Sequence, residues 1–149
     1  MKNPKILDNV MLIQKCIVVR SDGTILAIRR VDNDHSRPGA WDLPGGGYEQ
    51  GEDVLHAIKR EIKEEVGINA GAVTPLYFAN KIGTKVGLFY GDKVFALCYS
   101  CRNWSGEVEL SDEHAEYKWM KPDEFMQLYF AEDDGFFVAS MKAYISTLR

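Results

Sequence analysis

The sequence predicts an α/β protein in which a mixed β-sheet is covered by helices. Two observations lead to this prediction: β-branched apolar runs recur along the chain, and other segments carry apolar residues at helical spacing. The strands and helices do not alternate regularly as they do in a doubly wound parallel fold. No linker or internal repeat divides the 149 residues, so we expect residues 1–149 to form a single domain.

The first predicted strands are the runs VMLIQKCIVVR and TILAIRR, at residues 10–20 and 24–30. They are separated by SDG, which is typical of a turn, so we expect them to form a β-hairpin. Residues 31–40 are polar with Pro and Gly and predict a loop. WDL offers a short strand at most, and PGGG at residues 44–47 is expected to end regular structure there.

The clearest element is a helix from about Glu52 to Val66, which Gly67 follows as a stop signal. Its apolar residues recur at spacings of three and four and predict one buried face, made of Leu55, Ile58, Ile62 and Val66. Further strands are expected near residues 73–82, 86–90 and 93–102, and around YKWM after a loop at SDEHAEY. KPDEF and FFVASMKAYIST predict two last helices, the first with Pro122 in its opening turn.

Composition and charge exclude several classes of protein. The net charge of -4 argues against binding to duplex nucleic acid, because that affinity comes largely from Lys and Arg. A small anionic substrate stays compatible, since a metal ion can supply local positive charge. Lys15 interrupts the N-terminal apolar run, and no small-residue cleavage site follows. We therefore expect neither a signal peptide nor a membrane span, and a cytoplasmic location.

Three cysteines do not make a disulfide framework. Cys98 and Cys101 have C-x-x-C spacing, but they lie in a β-rich run where residues three apart point to opposite faces. No second cysteine pair or histidine pair completes four ligands, so a zinc site is not predicted.

The helix carries three glutamates, Glu61, Glu64 and Glu65, on one side, which we call the glutamate face. Like charges at this spacing destabilise a helix by about 0.2–0.5 kcal/mol per pair. A hard divalent cation such as Mg²⁺ would turn this repulsion into a favourable interaction, because carboxylates one turn apart can bind it. The alternative is a solvated face screened by Lys59 and Lys63.

The glycines upstream favour the metal hypothesis, because a backbone without side chains can approach phosphate or lend a carbonyl. The segment from Gly46 to Ile68 resembles the signature of the Nudix hydrolases, G-x5-E-x7-R-E-U-x-E-E-x-G-U, where U is a bulky aliphatic residue. Every fixed position agrees, and we call this segment the Nudix box. The flanks ILAIRR, WDLPGG and EHAEYKWMKPDEF also look like the family.

The resemblance implies a Nudix-like α/β/α sandwich around a mixed sheet, and metal-dependent hydrolysis of a nucleoside diphosphate linked to another group. Size and flanks are closest to the compact nucleoside triphosphate pyrophosphohydrolases, which release a monophosphate and pyrophosphate from normal or oxidised substrates. The alternatives are hydrolysis of a nucleotide sugar such as ADP-ribose or of a dinucleoside polyphosphate, and a non-catalytic nucleotide-sensing module. The expected partner is a small-molecule nucleotide, and a homodimer is left open.

The resemblance also assigns the metal ligands. Glu64 and Glu65 would bind Mg²⁺, or Mn²⁺ in its place, and Glu61 would be a further ligand or the base that orients water. Gly45 or Gly46 would offer a backbone carbonyl. Which glutamate is the base stays open, since a metal-bound carboxylate has little basicity left.

Two arginines have expected roles by the same resemblance. Arg60 is expected to pair with a carboxylate of the Nudix box, for which Glu52 is the candidate. Arg30, with Arg29 as the less favoured choice, would contact substrate phosphate, because adjacent strand residues face opposite ways.

The remaining candidates lie outside the Nudix box. Glu113 would be a further catalytic glutamate, with Asp112 and Glu116 as rivals. Trp41 is a candidate for stacking on the substrate base, although an aromatic residue there is more often part of the core. The histidines are expected at the surface, and only His114, beside Glu113, is a candidate for supporting the site.

Overall fold

The computed structural model describes residues 3–4, 10–81, 85–86, 89–90, 94–131 and 135–148. Its strands are β1 (Met11–Val18), β2 (Ile25–Arg30), β3 (Trp41–Asp42), β4 (Gly45–Gly47), β5 (Asn69–Ala70), β6 (Thr74–Lys81), β7 (Lys85–Val86), β8 (Phe89–Tyr90), β9 (Val94–Cys101), β10 (Trp104–Ser105) and β11 (His114–Met120). Its helices are α1 (Val54–Val66), α2 (Pro122–Phe125) and α3 (Phe136–Ser146).

The strands form two main sheets, one in the order β4-β1-β9-β6 and one in the order β11-β2-β3. Two short ribbons pair β10 with β5 and β7 with β8. Within the main sheets, β1 runs parallel to β9, whereas the pairings of β1 with β4, β6 with β9, and β2 with both of its neighbours are antiparallel. The predicted α/β class with a mixed sheet is therefore confirmed.

The predicted hairpin of β1 and β2 is wrong beyond its turn. The turn closes as expected, since the Arg20 N–H donates to the Thr24 carbonyl at 2.9 Å and Val19 bridges to Ile25. The strands then separate: β1 lies between β4 and β9, and β2 lies between β11 and β3. Both strands are apolar on both faces, and such strands are buried at the centre of a sheet.

Alternation along the strands separates two apolar clusters. The first contains Ile17 and Cys98 together with side chains of α3, and the second contains Cys16 and Cys101 together with side chains of α1. A helix thus packs on each side of the sheets, as the sandwich requires. Cys98 and Cys101 face opposite sides as predicted, and all three cysteines are free and buried.

Helix α1 has well-defined ends. Asp53 is its N-cap, and one carboxylate oxygen accepts from the N–H groups of Leu55 and His56, both at 3.1 Å. The helix therefore begins at Val54, two residues later than expected. Gly67 ends it in the left-handed conformation with φ 76°, as predicted.

The buried face of α1 is rotated from its predicted position. Leu55, predicted in the core, is 44% exposed. The buried residues of the helix are Ala57, Ile58, Ile62, Glu65 and Val66. The helix packs against β4, whose glycines carry no side chains, so it approaches on the side of Ala57 and Glu65. This rotation brings part of the glutamate face against the sheet.

The triple glycine forms an edge strand and not the expected loop. In β4, Gly46 pairs with Gln14 and Gly45 pairs with Lys15 of β1. A Cβ on Gly45 would lie 2.8 Å from the Lys15 Cα, and the φ of Gly45 is 146°, which other residues rarely adopt. Close strand pairing therefore requires glycine here, in addition to any role in binding.

The C-terminal predictions are mostly confirmed. Pro122 opens α2 at its first position, and α3 occupies the last predicted helix. Strand β11 begins at His114, inside the segment predicted as a loop, because its backbone pairs with β2. The predicted strand ends at residues 82 and 93, and residues 87–88 inside the predicted strand 86–90, lie outside the described residues. Over the part of the chain that is described, no helix is long and apolar enough to cross a membrane.

Candidate active site

Arg60 holds a row of carboxylates along α1. Its Nε donates to Glu52 Oε2 at 2.6 Å and its Nη2 donates to Oε1 at 2.9 Å, a bidentate pair. Its Nη1 donates to Glu61 at 3.1 Å and to Glu64 at 3.2 Å. The predicted pairing with Glu52 is confirmed. The bond to Glu52, followed by those to the other carboxylates, raises the pKa of Arg60, so its charge is permanent.

The Glu61 carboxylate lies directly over Gly46. A Cβ on Gly46 would collide with this carboxylate, so the contact exists only because residue 46 is glycine. The Glu61 side chain is 17% exposed. Burial raises the pKa of Glu61 above its usual value, with repulsion from Glu64 adding to the effect and Arg60 opposing it.

Glu65 is the most buried member of the glutamate face, at 8% exposure. Its Oε2 accepts a hydrogen bond from the Gly45 N–H at 3.0 Å. Burial raises the pKa of Glu65 to about 7; Asp42 adds to the rise and Lys15 opposes it. Burial therefore shifts this carboxyl toward its protonated form relative to an exposed glutamate. Glu64, by contrast, has a side chain that is 58% exposed.

The three glutamates share one side of α1, as predicted, but they do not converge on one point. In the described ranges, no group of three or more His, Cys, Asp and Glu side chains is arranged to hold a metal ion. The reason is that the carboxylates have different partners. Those of Glu61 and Glu64 accept hydrogen bonds from Arg60, whereas that of Glu65 accepts one from the Gly45 N–H of β4.

Behind Glu65 lies a group of buried charges that sequence reasoning missed. The Asp42 carboxylate forms three ion pairs: with Lys15 Nζ at 3.0 Å, with Arg30 Nε at 3.3 Å and with Arg37 Nη2 at 2.8 Å. Burial opposes ionisation, but Lys15, then Arg37 and Arg30, hold the pKa of Asp42 well below its usual range. The available signal was Lys15 itself, because a lysine inside an apolar strand needs a buried partner.

The two arginines at the end of β2 face opposite ways. Arg30 donates to Asp42 and to Asp34, the latter at 3.0 Å, and it lies close enough for Glu65 to affect its pKa. Arg29 instead donates to Glu116 at 2.7 Å. Arg30 is thus the arginine on the side of the glutamate face. Glu116, a rival candidate for the catalytic glutamate, is paired with Arg29.

The remaining candidates lie outside α1 and β4. Glu113 and Asp112 lie in an exposed turn before β11. Trp41 is half-buried against the cluster that contains α3, on the side of the sheets opposite α1. The expectation of a surface position is wrong for His114, which is only 6% exposed because β11 packs it beside Arg30. His56 is exposed as expected.

A mixed sheet with helices on both sides, one of which carries the glutamate face, is the fold that the Nudix resemblance implied. The family model for the NUDIX domain matches residues 13–141. The chain therefore belongs to the Nudix family, and it is an enzyme of the hydrolase class that this family defines.

Relatives and solved structures agree with this assignment. Nucleoside triphosphatase NudI of Shigella flexneri is 33% identical over 119 residues, which cover 74% of this chain and 82% of the relative. The MutT NUDIX hydrolase from Burkholderia pseudomallei has 26% identity and a TM-score of 0.69, over 91% of this chain and 98% of that one. The NUDIX domain of Shewanella oneidensis NrtR, complexed with ADP ribose, has 16% identity and a TM-score of 0.74, over 99% and 94%. The last likeness concerns the fold alone.

Proposed function

We propose that the protein hydrolyses nucleoside triphosphates, normal or oxidised, to a monophosphate and pyrophosphate, with Mg²⁺ or Mn²⁺ as cofactor. The observation that carries the proposal is the contact between the Glu61 carboxylate and Gly46, beside the buried Glu65. Folding stability does not explain two neighbouring carboxyls with raised pKa values. The similarity to NudI, a nucleoside triphosphatase, supports the substrate class.

The chemistry of the donor set fits a hard divalent cation. Glu61, Glu64 and Glu65, with a carbonyl of Gly45 or Gly46, offer only oxygen ligands, which Mg²⁺ prefers. Burial raises the pKa of Glu61 and of Glu65, and a cation bound between them would oppose that rise. When bound, Mg²⁺ would neutralise phosphate oxygens and favour deprotonation of the attacking water.

The chain's own residues orient this donor set. Arg60, fixed by its bidentate pair with Glu52, holds Glu61 and Glu64. The Gly45 N–H fixes Glu65.

Two further roles belong to the proposal. Arg30 would contact substrate phosphate from the neighbouring sheet. The base would be Glu61 where it does not bind the ion, and Glu113 where it does, because a metal-bound carboxylate has little basicity left.

The test is a product analysis with Mg²⁺ on a panel of nucleoside triphosphates, nucleotide sugars and dinucleoside polyphosphates. We expect pyrophosphate and a monophosphate from the triphosphates. Turnover confined to nucleotide sugars or dinucleotides would contradict the substrate class. Nucleotide binding without turnover across the panel would favour a sensing module.

The variant Glu64→Gln is the control for the site. We expect it to lose about 100-fold or more of the turnover, because a ligand of the ion and its charge are removed. Its metal-free melting temperature should be kept or slightly raised, since repulsion on the helix falls. Glu124→Gln, an exposed glutamate of α2, should change neither property. A lower melting temperature with normal turnover would contradict the role of Glu64.

A further inference from the structure

The loop between β2 and β3, residues 31–40, is fixed to Arg30 by one carboxylate, that of Asp34. Asp34 Oδ1 accepts a hydrogen bond from Arg30 Nη1 at 3.0 Å. Its Oδ2 accepts from the Ser36 N–H and the Ser36 hydroxyl, both at 3.1 Å, and from the Arg37 N–H at 2.8 Å. One oxygen thus orders the loop, and the other holds the arginine at the end of β2.

A closed ring of hydrogen bonds contains Arg30 and Asp34. Arg30 Nε donates to Asp42 Oδ2 at 3.3 Å, and the same oxygen accepts from Arg37 Nη2 at 2.8 Å. The Arg37 N–H donates in turn to Asp34, which binds Arg30. Burial opposes ionisation of Asp34, but the Arg37 N–H, then Arg30 and the Ser36 N–H, lower its pKa to about 2. Asp34 is therefore an anion near neutral pH.

The third guanidinium nitrogen of Arg30, Nη2, is left for a ligand. Among the residues that the structure describes, Nη2 has no hydrogen-bond partner, and it is not a buried atom, so solvent reaches it. Arg30 shares a face of β2 with Ile28, which packs in the same apolar cluster as Ile58 and Ile62 of α1. The guanidinium therefore lies on the side of the sheets that carries α1, where Glu65 affects its pKa.

We propose that Asp34 is a positioning residue for phosphate binding: it fixes Nη1 so that Arg30 presents Nη2 to a phosphate oxygen of the substrate. This inference rests on the proposed function, in which Arg30 contacts phosphate. Fixing a long side chain before the substrate arrives removes part of the entropic cost of binding. Asp42 alone holds Arg30 less firmly, because its bond to Nε is longer and its carboxylate is shared with Lys15 and Arg37. The competing explanation is that Asp34 only stabilises the loop.

The experiment is a double-mutant cycle in the intact protein, with Asp34→Asn, Arg30→Lys and the two together. Asp34→Asn keeps the shape of the side chain and an acceptor for the loop but removes the charge. Arg30→Lys keeps a cation for the carboxylates but has a single nitrogen, so nothing is left to present to phosphate. Asp32→Asn is the matched control, because Asp32 lies in the same loop, is 89% exposed and pairs with Arg29. Steady-state assays with Mg²⁺ give kcat and KM for the nucleotide that the wild type hydrolyses fastest.

We expect Asp34→Asn to raise KM about tenfold, within the range of coupling between residues in direct contact. Its kcat should change little, because Arg30 would bind the phosphate in the ground state and in the transition state alike. In the Arg30→Lys background, Asp34→Asn should raise KM by no more than about twofold, since no guanidinium is left to position. The control should match the wild type. Asp34→Asn should lower the melting temperature in both backgrounds, because the loop loses a charged acceptor, so the KM values decide.

Two results would overturn the role of Asp34. One is an unchanged KM in Asp34→Asn. The other is a rise in KM that is as large in the Arg30→Lys background as in the wild type, which a purely structural loop contact predicts. Every substrate class in the product analysis contains a diphosphate, so the cycle applies to whichever is hydrolysed, and Kd replaces KM for a nucleotide that binds without turnover. A wild type that prefers nucleotide sugars would thus contradict the proposed function and leave this comparison intact.

Discussion

Two of the three glycines of β4 have a close neighbour and the third faces open space, so an added methyl group should affect each differently. In Gly46→Ala the Cβ meets the flexible end of Glu61, and we expect a normal melting temperature with turnover reduced about tenfold or more, because a functional carboxylate is displaced. In Gly45→Ala it meets the backbone of Gln14 at a strained φ, and we expect a loss of about 2 kcal/mol or more in stability. Gly47→Ala meets no atom within 4 Å and should resemble the wild type.

Thermal denaturation and turnover of the three variants check this series. Equal losses of turnover in Gly46→Ala and Gly47→Ala would contradict the proposed role of the Glu61 contact. A stable Gly45→Ala would contradict the close pairing of β4 with β1.

His114 links stability to pH. Its pKa falls from the usual 6.5 to about 4 on folding, so between these values the unfolded chain binds more protons than the folded one. Stability is therefore nearly unaffected above pH 6.5 and falls as the pH is lowered toward 4, by about 3 kcal/mol in total. We expect His114→Phe to remove this part of the acid sensitivity. Urea denaturation at a series of pH values measures it, and an unchanged slope in the variant would contradict the burial of a neutral imidazole.

At the scale of the element, α1 shows what a periodic pattern can and cannot specify. The spacing of Ile58, Ile62 and Val66 and the stop at Gly67 predicted the helix and its end, because both are local properties. The orientation depends on what the helix packs against. Ala57 and Glu65 are buried because β4 offers a surface without side chains, and that surface belongs to a different element.

The orientation of α1 can be tested with two substitutions. Leu55→Ala should change the free energy of unfolding by no more than about 0.5 kcal/mol, because Leu55 is 44% exposed. Ile62→Ala should cost about 2–5 kcal/mol, because Ile62 is fully buried. Chemical denaturation of both variants compares them directly. Similar costs would restore the orientation that the apolar spacing predicted.

The predicted pairing of β1 with β2 is wrong for a similar reason, because it too depends on elements that are distant in the sequence. The SDG turn between β1 and β2 is correct locally, and its hydrogen bonds are those of a closed turn. The partners of β1 are β4 and β9, and β9 lies far along the chain and runs parallel to it. A single sequence carries turn signals but no sign of which distant strands pair, so non-local pairing was beyond prediction.

At the scale of the whole molecule, the candidate active site was predictable only where its residues are close together in the sequence. The glutamate face was predictable from helical periodicity, and the Arg60–Glu52 pair from the resemblance to the Nudix signature, because all their members lie within the Nudix box. The buried ion pairs of Asp42 and the position of His114 were not, because their side chains come from separate strands and loops. Lys15 inside an apolar run was the one local signal, because a buried lysine needs an anionic partner.

The ion pairs of Asp42 join the two main sheets. Asp42 belongs to β3 in one sheet, whereas Lys15 belongs to β1 in the other, and Arg30 and Arg37 bind the same carboxylate. Glu65 is affected by both Lys15 and Asp42. The position of one sheet relative to the other, and with it the distance between Arg30 and the glutamate face, therefore depends on this carboxylate.

Asp42→Asn should lower the free energy of unfolding by about 3–5 kcal/mol, because it leaves Lys15, Arg30 and Arg37 without their common buried anion. Lys15→Met should cost less, since Asp42 keeps both arginines. In the double variant the cost should fall below the sum of the single costs by about 0.5–3 kcal/mol, because the two residues are in direct contact. Asp32→Asn, whose side chain is 89% exposed, is the control and should cost little. Denaturant unfolding of the full cycle measures the coupling, and strictly additive costs would show that Lys15 and Asp42 do not hold the sheets together.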